Sequence, residues 1–483
     1  MSAFALLLAR DVTGLSEFAN RLAQDFGYRL YGTAEVAKEI EGVEVLTVSE
    51  SRELLEGAGD DEGIIVANYY SVETVGREFM SWQKAVAAFD SSLVALIRAA
   101  ALKPNRLTVI GNPAEYGRVL ELLNEGKGRL AQKFRMEQAC NALHASSEFD
   151  ASVAQYLEIQ GGDVPDMGAL SGYPKSIRFA WKRGVSLASG ENDHQKAALY
   201  GTFSDHFEQL SGPVVDYGVI VDISAATYLI GEFEKTAVAL VQKGSILGVA
   251  CGGTLTENWD KLGEENVGWL RSGVCIVNAT VGIEFAEVLA GLRGCTVIAP
   301  RFSDESLDVL KKNESLRLFV CKEGIGYEAL QENRSAIGGA LVQDKNRVSV
   351  NPMEWSIRSF VQPHVDQWDD MMFAVKISRH LRSSSCVAIQ GERIVAQASA
   401  CPVQMLAVSD VLRQLEAMGV KGAVLAVDET IEDGDVFAAT KEQGVSIVVH
   451  AGSLDPSMHP ELSEAANEVG IVLVATGRSH CKL

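Results

Sequence analysis

Short apolar runs alternate along this chain with longer stretches whose apolar residues recur at helical spacing. Residues 3–9 (AFALLLA) form the first run. Behind it, Leu15, Phe18, Ala19 and Leu22 repeat every three to four positions, which predicts a helix that Gly27 ends. The pattern continues as strand 28–32, helix 33–42, strands 43–49 and 63–70, helix 81–102 and strand 106–112. Apolar strands alternating with helices predict a parallel sheet covered on both faces. Residues 114–157 then read as a helical connection, 57–63 as an acidic surface turn and 160–174 as a linker.

The alternation resumes after residue 175. Residues 236–253, 273–279 and 295–300 read as strands, with helices such as 304–312 among them. A last block reads as helix 369–381, strands 385–391 and 393–399, helix 407–419, strands 422–428 and 445–450, helix 461–470 and strand 471–477. The chain is therefore α/β throughout. Its 483 residues exceed what one core holds, and the pattern divides it into 1–150 and 175–483.

Charge and cysteine content narrow the partners. Lys and Arg number 43 against 64 Asp and Glu, a net charge of −21. A nucleic-acid backbone or an anionic membrane would be repelled, so a small-molecule partner is expected. The first apolar run lacks a basic start and meets Arg10-Asp11 directly, unlike a signal peptide. No run reaches the length of a membrane span, and a cytoplasmic location is expected. The eight cysteines are scattered without a C-x-x-C pair or a histidine cluster at zinc spacing, which predicts buried free thiols and no metal.

Several segments carry a resemblance. GENDHQKAALY (190–200) is similar to the GENPHQ loop of the bifunctional purine-biosynthesis family AICAR transformylase/IMP cyclohydrolase. RSAIGGALVQDKN (334–346), FAVKISRHLRSSSCVAI (373–389), KGAVLAVDE (421–429) and the terminal IVLVATGRSHCKL follow the same family in order. ALLLARDVTGLSEFANRLAQ and VIGNPAEYGRVLELL match its cyclohydrolase half. The resemblance implies a methylglyoxal-synthase-like parallel-sheet domain followed by two cytidine-deaminase-like lobes without zinc. It also implies a homodimer with a site shared between subunits, and formyl transfer from 10-formyltetrahydrofolate to an amine, followed by ring closure.

The chain departs from that family at many of the residues that carry its chemistry. The phosphate loop S-T-G-G-T is here Gly32 to Val36, with both glycines gone and Glu35 where the anion would sit. Val12 and Leu102 stand for two lysines, and the segment D-G-R-V-K-T-L-H-P-K is missing, so IMP cyclohydrolase activity is not expected. In the second half, Ala188 and Ser189 replace an arginine and a tyrosine, and Gln242-Lys243 replace the lysine–histidine pair. Ser384 replaces an asparagine, and Gln404, Gly434 and Ser479 stand where the matched segments carry arginine. Each lost arginine removes a bidentate phosphate contact of roughly 1.5–3 kcal/mol.

What remains defines the candidates. Lys243 would serve as a displaced general base and His194 as its catalytic companion; a lysine can do so only where burial lowers its pKa. Asn192, Gln195, Asp428, Arg478 and His480 would line a substrate pocket. Asn192, His194 and Gln195 read equally as a hydrogen-bonded turn, Lys243 as an exposed strand-end residue, Asp428 as a turn start, and Cys251 and Cys401 as core thiols. Three functions stand open. The first is a repurposed transformylase-like enzyme that uses 10-formyltetrahydrofolate on a small molecule other than the purine ribotide. The second is a non-catalytic protein that binds a metabolite or a partner. The third is purine biosynthesis itself.

Overall fold

A computed structural model describes residues 3–48, 62–68, 89, 91–160, 173, 177, 179, 181–322, 331–455 and 457–483. Nearly all of the first half of the helix expected at 81–102, most of the 57–63 turn and most of the 160–174 linker lie outside the described residues, and the second half of that helix is present as Ser91–Ala101. The chain divides into two compact units, Met1–Ala180 and Trp181–Leu483.

The first unit is built on five parallel strands: β1 (Phe4–Leu7), β2 (Arg29–Gly32), β3 (Val45–Thr47), β4 (Gly63–Val66) and β5 (Leu107–Ile110), in the order β3-β2-β1-β4-β5. Side chains alternate along β1, so Ala5 and Leu7 enter one core and Phe4 and Leu6 the other. Helices Leu15–Phe26 and Tyr116–Glu125 cover the first face, and Ser91–Ala101 and part of Gln132–Gln160 the second. The fit between β1 and β4 is tight. A Cβ on Gly63 would lie 2.3 Å from the ring of its buried partner Phe4. Gly63→Ala is therefore expected to cost about 1–3 kcal/mol, read as a lower urea midpoint at unchanged slope.

The second unit carries a short pair, β6 (Arg183–Ser186) with β7 (Ala198–Tyr200), and two six-stranded mixed sheets. The first sheet holds β8 (Phe207–Ser211), β9 (Ala237–Gln242), β10 (Ser245–Cys251), β11 (Val274–Val277), β12 (Thr296–Ala299) and β13 (Arg317–Cys321), ordered β10-β9-β11-β12-β13-β8. A ribbon follows, β14 (Gln331–Ala336) with β15 (Gly339–Asp344). The second sheet holds β16 (Ser356–Ile357), β17 (Cys386–Ile389), β18 (Ile394–Ala398), β19 (Val424–Val427), β20 (Ile447–His450) and β21 (Val472–Ala475), ordered β16-β21-β20-β19-β17-β18.

Alternation again sorts the side chains. Ala237, Ala239 and Val241 of β9 and Val424 and Ala426 of β19 enter one shared core with helices Tyr217–Ile230 and Gln367–Ser378. Val238 and Leu240 face a separate core of the first lobe, and Leu425 and Val427 one of the second. The architecture is thus a parallel-sheet domain followed by two lobes of similar style.

Two expectations need correction. Residues 236–253 are two strands, not one, because Lys243 (φ 54°) and Gly244 (φ 70°) turn the chain between Gln242 and Ser245. Two successive left-handed residues are what a two-residue type I′ hairpin requires. The cysteines are free but not uniformly buried: Cys251, Cys275, Cys295, Cys321 and Cys386 are buried, Cys401 is partly so, and Cys140 and Cys481 are exposed. Among the described residues, no helix is long and apolar enough to cross a membrane.

Candidate active site

Sheet register gathers distant segments at one end of the second lobe. Cys386 opens β17 and pairs with Val427, the last residue of β19, and with Ala398, which ends β18. His450 and Ala475 end β20 and β21 side by side. Residues 383–385, 399–401, 428–429 and 476–482 therefore converge where strands of an α/β sheet commonly present ligand-binding groups.

Asp428 is the anchor of this end. It is buried and accepts from the Ser385 N–H at 2.8 Å and from the Ser383 hydroxyl. Ser384 donates to Glu429, 3.2 and 3.1 Å from its two oxygens. The C-terminal segment folds back over this point. Ser383 N–H donates to Lys482 O at 2.8 Å, Lys482 N–H returns to Ser383 Oγ at 2.9 Å, and His480 N–H reaches Asp428 O at 3.4 Å. Asp428, Glu429 and Cys481 bring two carboxylates and a thiol within 4.8 Å of one another. Both carboxylates already accept serine hydroxyls, so the trio reads as a hydrogen-bonded cluster.

His480 is buried. The Asn346 side-chain amide donates to its Nδ1 at 3.0 Å, which leaves the proton of the neutral ring on Nε2. Burial, with Arg379 nearby, holds its pKa down at about 4. Behind Asn346 lies a network that sequence reading missed. Arg379 donates to Asn346 O at 2.8 Å and to Glu232 Oε2 at 3.1 Å. His380 Nε2 bonds the other Glu232 oxygen at 3.0 Å, and Lys376 donates to Glu232 O at 2.7 Å. Burial raises the Glu232 pKa, but His380, Arg379 and Lys376 outweigh it and keep the carboxylate ionised.

Lys345 completes the set. It packs over the face of Tyr228 on the helix that carries Glu232 into the turn. Burial and the neighbouring Lys482 lower its pKa to about 8 against the pull of Glu332. Lys482 is itself lowered by burial. Glu332 accepts from Arg334 at 3.0 Å, and Arg334 also holds the backbone oxygen of Leu483. No sequence signal marks Lys345, because its burial depends on Tyr228 and on the returning C-terminus.

Of the remaining candidates, Arg478 lies in the converging 476–482 segment but its side chain pairs with Glu354, and the others lie elsewhere. Lys243 is exposed on the hairpin turn, and Gly244 N–H donates to the buried Asp222 at 2.6 Å. Gln195 accepts from Asn192 N–H at 3.0 Å and from its amide at 2.9 Å, so the loop closes on itself. His194 is exposed beside them. Arg478 pairs at 3.3 Å with Glu354, both about half exposed, a pair worth little in water. Only Asp428 and His480 of the sequence candidates fall in the cluster.

The first unit holds a second point of interest. Asn68 follows β4 and accepts from the Arg10 and Asp11 N–H groups at 2.7 and 2.9 Å, tying the loop after β1 at the sheet's switch point. The Arg10 guanidinium reaches Glu35 at 3.5 Å. Glu35 is largely exposed, and such a pair is worth little in water.

Comparison with known proteins agrees with this architecture. Residues 100–401 match the family model described as AICARFT/IMPCHase bienzyme. The Bifunctional purine biosynthesis protein PurH of Bacillus subtilis (strain 168) is 27% identical over 522 residues, covering 99% of each chain. Its counterpart in Chloroflexus aurantiacus (strain ATCC 29366 / DSM 635 / J-10-fl) is 28% identical over 518 residues, covering 99% of this chain and 98% of the relative. A solved structure titled Crystal structure of ForH matches at 21% identity and a TM-score of 0.25, over 32% of this chain and 98% of that one, too slight a likeness to bear on the fold. With more than half its length matched by the family model and both relatives aligned nearly end to end, the chain belongs to the AICARFT/IMPCHase bienzyme family.

Proposed function

We propose that the second unit is a repurposed transformylase that passes a formyl group from 10-formyltetrahydrofolate to an amine on a small molecule other than the purine ribotide. The observation that carries this is the end of the second lobe's sheet. It holds His480 and Lys345 with pKa values lowered to about 4 and about 8, each fixed by specific partners. Groups tuned this way concentrate where protons are moved. The lost arginines argue against a phosphorylated acceptor.

The residues fit a folate at this end. Gln404 Nε2 and Ser385 Oγ are buried and lack a hydrogen-bond partner among the described residues. Val403, Met405 and Leu406 are exposed beside Gln404 and would take a flat apolar ring. The folate would supply the formyl carbon. Lys345 would take the proton the amine gives up and return it to the tetrahydrofolate nitrogen as the bond from that nitrogen to the formyl carbon breaks, and His480 Nε2–H would donate to the developing oxyanion. Lys243 and His194, exposed in the single chain, would be presented to a second copy in a homodimer that shares its site, as the family resemblance suggests.

For the first unit the non-catalytic reading is supported by the loop at Gly32 to Val36, which lacks the family's two glycines and carries Glu35. Release of tetrahydrofolate from 10-formyltetrahydrofolate, followed with a panel of small amines, tests the enzyme reading. Lys345 must be neutral to act as a base, so the rate should rise with pH to a plateau above about 8. Lys345→Met should lower the rate by about a hundredfold or more. A Lys345→Met protein with unchanged turnover and pH profile would remove Lys345 from the mechanism.

A further inference from the structure

The first lobe's sheet ends on a row of cations. Its register sets β9, β11, β12 and β13 side by side, with Val241, Val274, Thr296 and Arg317 level across them. The turns at this end are 242–245, 270–273, 291–295 and 311–317. They carry Lys243, Arg271, Arg293, Lys311, Lys312 and Arg317 against one carboxylate, Glu314, in a chain whose net charge is −21. Among the described residues, no carboxylate pairs with any of the six.

The turns are fastened to one another through the backbone. Gln242 Oε1 accepts the Arg271 and Ser272 N–H groups at 2.8 and 3.3 Å, and a Cβ on Gly294 would lie 3.3 Å from Arg271 O. Asn313 donates to Leu292 O at 2.6 Å, and Arg317 Nη1 to Gly294 O at 3.2 Å. Lys243, Arg271 and Arg293 project exposed from this frame, and Arg317 is half-buried.

Two buried polar atoms mark the same place. Thr296 is 0% exposed and its hydroxyl has no partner among the described residues. Arg317 lies beside it in register, and its Nε is likewise buried without a partner. Buried donors normally meet an acceptor, and an oxyanion is one.

The loop that carries His194 is tied to this end as well. A Cβ on Gly212 would lie 2.7 Å from the Arg317 Cα. From there the chain runs to Val215, whose O accepts the Ala188 N–H at 3.0 Å, and to Tyr217, whose N–H donates to Ser189 O at 3.1 Å. Two carboxylates of this stretch serve backbone donors. Asp216 accepts the Val219 N–H at 2.9 Å, and Asp222 the Gly244 N–H at 2.6 Å. Glu191 and Asp193 are exposed on the loop, where single charges compete weakly in water.

We propose that this end of the first lobe binds a small molecule carrying two or more oxyanion groups, held by Arg271, Arg293 and Arg317 with Lys243 at the edge. Three adjacent strands spread the arginines over about 10 Å, wider than one carboxylate or phosphate reaches. The groups are carboxylates or phosphates, since the guanidinium fork fits either. The inference does not rest on formyl transfer, because binding alone tests it.

The full-length chain would be titrated calorimetrically with citrate and with tripolyphosphate. Acetate, inorganic phosphate and chloride at matched ionic strength are the single-group controls. Saturable binding of citrate or tripolyphosphate in the micromolar to millimolar range, with none by the controls, is expected. Citrate alone would identify a polycarboxylate, and tripolyphosphate alone a polyphosphate. Arg271→Gln and Arg293→Gln, both on exposed turns, should each weaken binding about tenfold. Arg21→Gln, on a helix of the first unit, should leave it unchanged. No saturation by either polyanion, equal binding of acetate or inorganic phosphate, or an affinity that Arg271→Gln and Arg293→Gln leave unaltered or that Arg21→Gln lowers as much would overturn the proposal.

Discussion

Replacing Glu232 by alanine is expected to cost the protein about 3–5 kcal/mol of folding stability. Its carboxylate pairs with Arg379, whose side chain is only 8% exposed, and with His380, 14% exposed. Removing one member of a buried pair leaves the other charge without its compensation, and desolvation of that charge sets the cost. Lys376 bonds the Glu232 backbone oxygen and would remain. Glu232→Gln keeps an acceptor and the volume and should cost less than alanine. Replacing Arg379 by methionine as well removes the stranded charge, so the double variant should regain part of the loss. Urea unfolding of the native protein, Glu232→Ala, Arg379→Met and the double variant measures this as a coupling energy. The damage should also reach the candidate site, because Arg379 holds Asn346, and Asn346 orients His480.

The second large effect is acid lability in a window set by buried histidines. His450 and His480 each have a pKa near 4 when folded, against an ordinary value of about 6.5. Between these values the unfolded chain binds more protons than the folded one. Stability is therefore full above about pH 6.5, falls as pH drops, and levels off below about 4 for these two groups. Each contributes up to about 3 kcal/mol, a large share of a typical folding free energy. Unfolding midpoints at pH 7.5 and 4.5 should differ sharply in the native sequence and by about half as much in His450→Gln. Equal midpoints at the two pH values would show that the histidines are not held neutral.

Much of this fold is visible in the sequence because burial on both faces leaves a simple trace. β1 and β4 are apolar throughout and β5 is so but for Thr108, and β19 and β21, with β20 up to His450, repeat that trace. The hairpin at Lys243 is not visible, since Gln-Lys-Gly-Ser lacks the Asn-Gly or Asp-Gly signal and both flanks are equally apolar. The site divides in the same way. Asp428 stands out as a carboxylate ending an apolar strand, and His480 through its family segment. Lys345, Asn346, Glu232 and His380 are separated from their partners by more than a hundred residues. Only the folded chain shows that they meet. The loop 190–195 carries the family's polar residues, yet Asn192 and Gln195 bond each other. A motif read from sequence cannot tell a ligand contact from an internal one.

We propose that the folate half of the family's chemistry persists while recognition of the purine ribotide is lost. Equilibrium dialysis of the purified chain with each compound separately tests it most directly. Saturable binding of 10-formyltetrahydrofolate, with no saturable binding of the ribotide at matched concentrations, is the predicted result. Tight ribotide binding, or no folate binding, would contradict it.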